Sequence, residues 1–396
     1  MDLHADVQRL REIAIKPIHP DGSGTVPSVQ LADLIDEVEG LINKYVCLPD
    51  PMLAMLIAVW VALTYCFEQF HYCGYLALRS ATPRCGKSRL LRILALFCKG
   101  SPSITAIPTA AALFRSTDPV LILDEVDRLR NRDKDLFGDV LAVINCGFEQ
   151  GSVVNRVERG PGGFVVRSYP VYGPKAFAGI ESLADTLADR SFMIQMLRSP
   201  DRLPRINIRK MTERADQIRA AFALWAEQHQ CPLGDAYENL PDSLPSLAHY
   251  DDRFQDIAEP LVVLASLADA ERALPENVHG PRLPEVLPRL LTGLAVAGGR
   301  REVSYRERQL LAFLEIVEER LIGCEELFIP SADLLAAFQE REELSSIENT
   351  TALAAFLRHF ELSPRPSPTG KCRGYMIREE WVHEWQGRYK GQASTR

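Results

Sequence analysis

The sequence predicts an α/β fold, a parallel sheet covered by helices on both faces. Three observations predict it. Short β-like apolar runs alternate with helical apolar stripes between about residues 75 and 200. One run, Tyr75 to Leu78, leads through a loop into Gly86-Lys87-Ser88 and then a helix. Another, Val120-Leu121-Ile122-Leu123, runs straight into Asp124 and Glu125. Strands buried on both faces read as such continuous runs, and ligands bind beyond their carboxyl ends.

Composition bounds the rest. A chain of 396 residues suggests two or three domains. With 46% hydrophobic and 25% charged residues it reads as an ordinary folded protein. A net charge of −8 excludes a globally basic polyanion binder, so any nucleic-acid contact must come from local basic patches. The nine cysteines are scattered, with no C-x-x-C and no signal peptide. Reduced thiols, a cytoplasmic protein and no zinc site are the expectation. The apolar stretch Met52 to Phe67 falls short of the ~18–20 residues of a membrane span. It is read as a helix buried beside the sheet, and no membrane association is expected.

Taken in order, residues 1–30 are an N-terminal extension, with a helix from Val7 to Ile15 and a linker rich in Pro, Gly and Ser. Residues 31–200 form the nucleotide-binding core. It opens with a helix from Leu31 to Tyr45 and the apolar helix after Asp50-Pro51. The loop strand follows, then a helix striped by Leu90, Leu91, Leu94 and Phe97. Next come a strand near 103–107, a helix opened by Pro108 and ending at Arg115, and the Asp-Glu strand. The helix from Asp135 to Phe148 comes after it. Ser152–Arg159 and Phe164–Tyr169, separated by Gly160-Pro161-Gly162-Gly163, read as a hairpin. Lys175–Ile180 is a strand, Leu183–Arg190 a helix and Ser191–Leu197 a strand. Residues 201–325 are a helical, lid-like region, with helices near 211–229, 252–270, 284–296 and 304–321. Residues 326–396 hold two helices and a two-stranded wing around Ser367–Gly370, which suggests a winged-helix-like domain.

Read singly, the first motif also fits a surface loop and the second a strand with an acidic turn. Lying one strand–helix interval apart, they form one nucleoside-triphosphate site. The loop residues Pro83, Arg84, Cys85 and Gly86 and the helix start would surround the phosphates. Lys87 would reach the β- and γ-phosphates, and the Ser88 hydroxyl would bind Mg²⁺. Asp124 would hold the Mg²⁺ through water, and Glu125 would orient or deprotonate the attacking water. ATP and Mg²⁺ are therefore the expected cofactors. The pattern G-x-x-x-x-G-K-[ST] calls for glycine where this chain has Ala81. If that position needs positive φ, which alanine resists, nucleotide affinity is weakened.

This order of motifs resembles the family known as domain of unknown function 3631, the P-loop ATPase domains of plasmids, phages and integrated elements. The resemblance runs from about Leu31 to the C-terminus. It rests on Tyr45-Val46, Leu48-Pro49, Cys85-Gly86-Lys87-Ser88, Ala112–Arg115, Leu121–Glu125, Ile144-Asn145 with Gly147, Ala178–Ile180, Asp185–Ser191, Arg253 with Asp256 and Glu259, and Gly374-Tyr375. What it implies is an AAA+-like, helicase-like ATPase that works as a homo-oligomer, a ring by analogy, with DNA as partner. The family often sits behind primase modules. The residues ahead of Leu31 leave no room for one, so a separate primase or replication protein is the expected partner. By family order Arg190 is the candidate arginine supplied to a neighbouring subunit's site, the alternative being a surface salt bridge with Asp185 or Asp189. Arg253 is expected to reach the nucleotide from a lid, or else to be an exposed charge at a helix start. Asn145 stands in as a sensor of the γ-phosphate. In helicase-like relatives a hairpin at 152–169 grips DNA, here through Arg156, Arg159 and Arg167. The alternative is an edge hairpin whose arginines pair with Glu149 and Glu158. Two further readings compete with the motor. One is a nucleotide-controlled regulator or partner-loading factor; the other is a small-molecule kinase, which the water-activating Asp124-Glu125 pair disfavours.

Overall fold

Five of the apolar runs pair into one sheet in the computed structural model of the chain. In chain order the strands are β1 (Tyr75–Arg79), β2 (Ile104–Thr105), β3 (Leu121–Leu123), the hairpin strands β4 (Val153–Gly160) and β5 (Gly163–Pro170), β6 (Lys175–Gly179) and β7 (Ser191–Gln195). The sheet runs β2-β3-β6-β1-β7, and every pairing in it is parallel. The structure describes residues 30–393 apart from 81, 106–112, 114–117, 126–133, 161–162, 180–184, 201, 242–243, 245–246, 249, 273–284, 299–304, 342, 359 and 361. The expected helices at 7–15 and 108–115 lie outside the described residues, Leu113 apart, and so does Ala81.

Side chains alternate across a strand, so the sheet separates two cores. Leu76, Leu78, Ile122, Ala176, Phe192 and Ile194 bury into one. Tyr75, Ala77, Leu123, Phe177 and Met193 bury into the other. The first core holds α1 (Leu31–Tyr45), α2 (Met52–Leu63) and α3 (Lys87–Phe97). The second holds α4 (Lys134–Cys146) and the short α5 (Asp185–Ala188). Helices therefore cover both faces. The first core extends through α6 (Ile208–Gln228), α7 (Gln230–Glu238), α8 (Asp252–Arg272) and α9 (Val286–Gly298). Helix α7 is absent from the sequence reading: Pro232 and Gly234 lie inside it and disguise it.

The apolar helix is α2. Every residue from Leu53 to Leu63 is buried, and the Trp60 indole N–H donates to the Gly74 carbonyl at 2.8 Å. Helix α9 packs against it where a Cβ on Gly293 would lie 2.5 Å from the Met52 carbonyl oxygen. Only glycine permits that approach. No helix among the described residues is long and apolar enough to cross a membrane.

The chain divides into two units between residues 301 and 302. The second contains α10 (Tyr305–Leu321), β8 (Glu326–Pro330), α11 (Ser331–Gln339), α12 (Thr350–Arg358), β9 (Arg365–Pro366), β10 (Arg373–Arg378) and α13 (Glu379–Ala393). Its strands pair antiparallel in the order β8-β10-β9. Leu310, Phe313, Leu314 and Val317 of α10 pack with Phe338, Leu353, Leu357 and Ile377. The helix read with the region before it thus belongs to this unit's core.

One half-buried carboxyl gives a stability test. Glu271 on α8 accepts from the Leu31 backbone N–H at 2.8 Å and from the Trp225 indole N–H at 2.6 Å. Burial pushes it up to about 7, against the pull of those two donors. A raised acid contributes stability below its unfolded pKa and loses that contribution as pH rises through the folded one. Glu271→Gln should therefore gain on the wild type between about pH 4.5 and 7 and hold a constant difference above. Urea unfolding across that range measures it; a difference independent of pH contradicts the assignment.

Candidate functional site

Parallel strands place the ends of β1 and β3 on one edge, and the two sequence motifs meet there. The loop leaving β1 turns through two left-handed residues, Arg84 at φ 67° and Gly86 at φ 89°. Gly86 then starts α3, whose first turn carries Lys87 and Ser88. The Lys87 ammonium donates to the Ser80 hydroxyl, folding back over its own loop. The Cys85 thiol donates to the Thr82 carbonyl at 3.2 Å and closes the loop from inside. From β3, Asp124 reaches across: the Ser88 hydroxyl donates to its Oδ2 at 2.8 Å. The Glu125 backbone N–H donates to Asp124 Oδ1 at 2.9 Å, and Glu125 itself sits at φ 57°. A non-glycine residue held in that region costs of order 1–3 kcal/mol and is a recurrent mark of functional sites.

A cleft of about 540 Å³ lies over this edge. Its floor is Pro83 to Arg89, with Asp124 and Glu125 on one side. Ala178 and Gly179 end β6 between them and present no polar side chain. Tyr45, Val46, Cys47, Leu197, Arg198, Ser199 and Leu203 form the other side. Arg89 pins that wall by donating to the Tyr45 carbonyl at 3.1 Å. Chemically the cleft offers a backbone cradle, the Lys87 ammonium and a hydroxyl–carboxylate pair. Ser88 and Asp124 suit a divalent cation that keeps waters and takes phosphate oxygens as its other ligands. No group of three or more His, Cys, Asp or Glu able to hold a metal occurs among the described residues.

The structure brings Pro83, Arg84, Cys85, Gly86, Lys87, Ser88, Asp124 and Glu125 together. It does not bring Arg253 or Arg190 to them. The Tyr75 N–H donates to the Arg190 carbonyl at 3.0 Å, so Arg190 lies at the amino end of β1 and β7. A strand's length, about 16 Å at ~3.3 Å per residue, separates it from the loop. Its guanidinium lies over the Phe148 ring at 4.8 Å, and that of Arg253 lies over the same ring at 4.5 Å. Arg253, expected to reach the nucleotide from a lid, does not line the cleft in this structure and lies over the Phe148 ring at the other edge of the sheet. Asn145 belongs to α4 and does not line the cleft.

The hairpin departs from expectation in its charges. Arg156 forms an ion pair with Asp139 of α4, and Arg167 lies 3.5 Å from Glu158. Arg156 is thereby held against α4, while the Arg167 side chain stays 64% exposed beside Glu158. Arg159 is exposed, opposite Phe164 in the register. Phe164 is 81% exposed, and Val157 and Val166 share its face at 66% and 63%. This apolar face was missed; alternation of Val157 with Arg156 and Glu158 was the signal for it. Arg198 and Leu197 were missed too, since nothing in a strand's tail marks it as a cleft wall.

No protein-family model matches the chain, and no curated protein matches it. Among solved structures it is similar to SCCmec type IV Cch, an active helicase. That pair shows 11% identity over 96% of this chain and 70% of the other, with a TM-score of 0.39. It is also similar to the apo A form of the NrS-1 C-terminal region. There the identity is 12% over 92% of this chain and 82% of the other, with a TM-score of 0.35.

The handedness of the loop is testable without any ligand. Gly86→Ala should lower the unfolding free energy by roughly 1–2 kcal/mol, the cost of a left-handed Cβ. Arg84→Gly should raise it by up to about 1 kcal/mol. Equal effects of both substitutions in denaturant unfolding would contradict the loop geometry.

Proposed function

We propose that this chain is an ATP-hydrolysing P-loop enzyme of AAA+ type, working as a homo-oligomeric ring on DNA during mobile-element replication. The observation that carries the reading is the Ser88–Asp124 pair, 2.8 Å apart beside Lys87 at the carboxyl edge of a parallel sheet. In this reading residues 83–86 bind phosphate oxygens through the loop, and Lys87 leaves Ser80 to neutralise the β- and γ-phosphates. Ser88 and Asp124 would hold Mg²⁺, which when bound would supply positive charge beside the phosphates. Glu125, fixed beside Asp124, orients water and takes its proton.

Arg190 supports the oligomer. Its place at the far edge keeps it out of its own cleft and over the Phe148 ring, and in this reading it serves a second copy's cleft. The hairpin supports contact with single-stranded nucleic acid. Phe164 and Arg159 stand together near its tip, and an exposed aromatic ring stacks on any base. In the second unit the α10-β8-α11-α12-β9-β10 order supports the winged-helix reading. Arg365, Lys371 and Arg373 are exposed around its wing, where phosphate contacts position such domains. A separate primase or replication protein is the proposed partner.

The decisive experiment is ATP hydrolysis with and without DNA. Lys87→Ala should lose nucleotide affinity, whereas Glu125→Gln should keep binding and lose at least 100-fold in turnover, about the share of a general base. Single-stranded DNA should stimulate the wild type. Phe164→Ala with Arg159→Ala should hydrolyse ATP at the basal rate and show no stimulation. Hydrolysis that DNA leaves unchanged in the wild type favours a nucleotide-controlled loading factor over a motor.

The oligomer has its own test. Arg190→Ala should bind ATP without hydrolysing it, and mixing it with Lys87→Ala should recover activity at composite sites. Co-assembled mixtures that stay inactive would refute the action of Arg190 in trans.

A further inference from the structure

We infer that Arg198 is the nucleoside-end residue of the cleft, holding the base by stacking rather than the γ-phosphate by charge. The inference rests on the proposal that the cleft takes a nucleotide, and names the part of it that β7's tail recognises.

The direction of the ligand follows from the sheet order. Strand β3 lies two places from β1 on one side, with β6 between, and β7 adjoins β1 on the other. Ser88 and Asp124 fix the γ-phosphate end on the β3 side, because the cation site lies there. A triphosphate lying along residues 83–86 must then carry its nucleoside toward β7. There the Met196 N–H donates to the Arg79 carbonyl at 2.6 Å, holding the tail against the loop strand. Met196 passes beneath the loop, its methyl 3.7 Å from where a Cβ on Gly86 would stand. Leu197 and Arg198 emerge directly after it into the cleft.

Two features of that tail lack a structural role. Leu197 is 49% exposed although it follows a buried strand. Arg198 is exposed and makes no hydrogen bond or ion pair among the described residues. Val46 and Leu203 line the same cleft, so apolar side chains and a planar cation face it together. A nucleobase has the matching shape: a flat ring that an apolar wall and a guanidinium plane can enclose from two sides. A phosphate would use Arg198 as a charge and leave Leu197 uncovered.

Calorimetric titration of the full chain with ATP, ADP and inorganic tripolyphosphate separates these cases, with Mg²⁺ held constant. Arg198→Ala should weaken ATP and ADP by the same factor, about 5-fold or more, and leave tripolyphosphate unchanged. Arg198→Lys should recover only part of the loss, since an ammonium does not stack. Thermal unfolding should match the wild type, because the side chain is exposed. A loss confined to ATP assigns Arg198 to the γ-phosphate and overturns the inference, as does an equal loss for tripolyphosphate. A wild type that binds tripolyphosphate but neither nucleotide overturns the nucleotide reading itself, a result distinct from either.

Discussion

The cleft depends on strand direction. In a parallel sheet every carboxyl end lies on one edge, so loops from distant parts of the chain converge there. The loop after β1 and the Asp124-Glu125 pair lie more than 30 positions apart in sequence, and β6 lies between their strands in the sheet. Two inter-strand steps span about 10 Å at ~4.8 Å each. The gap is closed from both sides, since Ser88 projects from the first turn of α3 and Asp124 from the end of β3. Reversing either strand would put the hydroxyl and the carboxylate on opposite edges.

Burial then decides which helices hold the sheet, and they grip it at the amino end of β1. Helix α2 shows almost no polar face, and it is surrounded: α1, α8 and α9 pack on it, and Trp60 ties it to Gly74 at the entrance to β1. Gly74 has no room for a side chain, since a Cβ there would meet Phe192 at 2.7 Å and Ile257 at 2.9 Å. Strand β7 and helix α8 are thus packed against the residue that precedes the loop strand. Aromatic and charged groups hold the same amino edge, since the Cys73 N–H, next to Gly74, donates to the Phe148 carbonyl at 2.7 Å. There Phe148 carries Arg190 and Arg253 over its ring and stacks on Tyr72. Burial raises the nearby Glu259 carboxyl to about 7, with the Asp256 charge adding to the effect.

What the sequence showed and what it hid follow from range. The loop, the acidic strand, the hairpin and the apolar helix are local patterns, each written within about 20 residues, and each was legible. The destination of an arginine is not local. Arg156 finds Asp139 on the preceding helix, and Arg253 meets Arg190 across 63 positions of chain, at the Phe148 ring just beyond α4. The resemblance suggested three gripping arginines on the hairpin; the ion pairs of Arg156 and Arg167 and the exposed Phe164 beside Arg159 were not legible in it. The αL residues at Arg84 and Glu125 were equally hidden. Neither residue type favours that conformation, so tertiary structure imposes it.

One strand joins the cleft to the hairpin. At its carboxyl end β6 contributes Ala178 and Gly179 to the cleft. At its amino end Lys175 is buried and donates to three carbonyls: Gly147 at 3.0 Å, Val171 at 2.8 Å and Gly173 at 2.8 Å. Gly147 precedes the hairpin and the other two follow it, so one side chain grips both roots. Three acceptors consume all three ammonium protons, and the Tyr75 ring, 4.9 Å away, favours the cation further. Burial opposes this, lowering Lys175 to about 7. A neutral amine has only two protons to donate and would leave one root carbonyl unsatisfied in the core. The charged form is the one that fastens the hairpin. A displacement of β6 at the cleft would accordingly carry both hairpin roots with it, because no loop intervenes between Gly179 and Lys175.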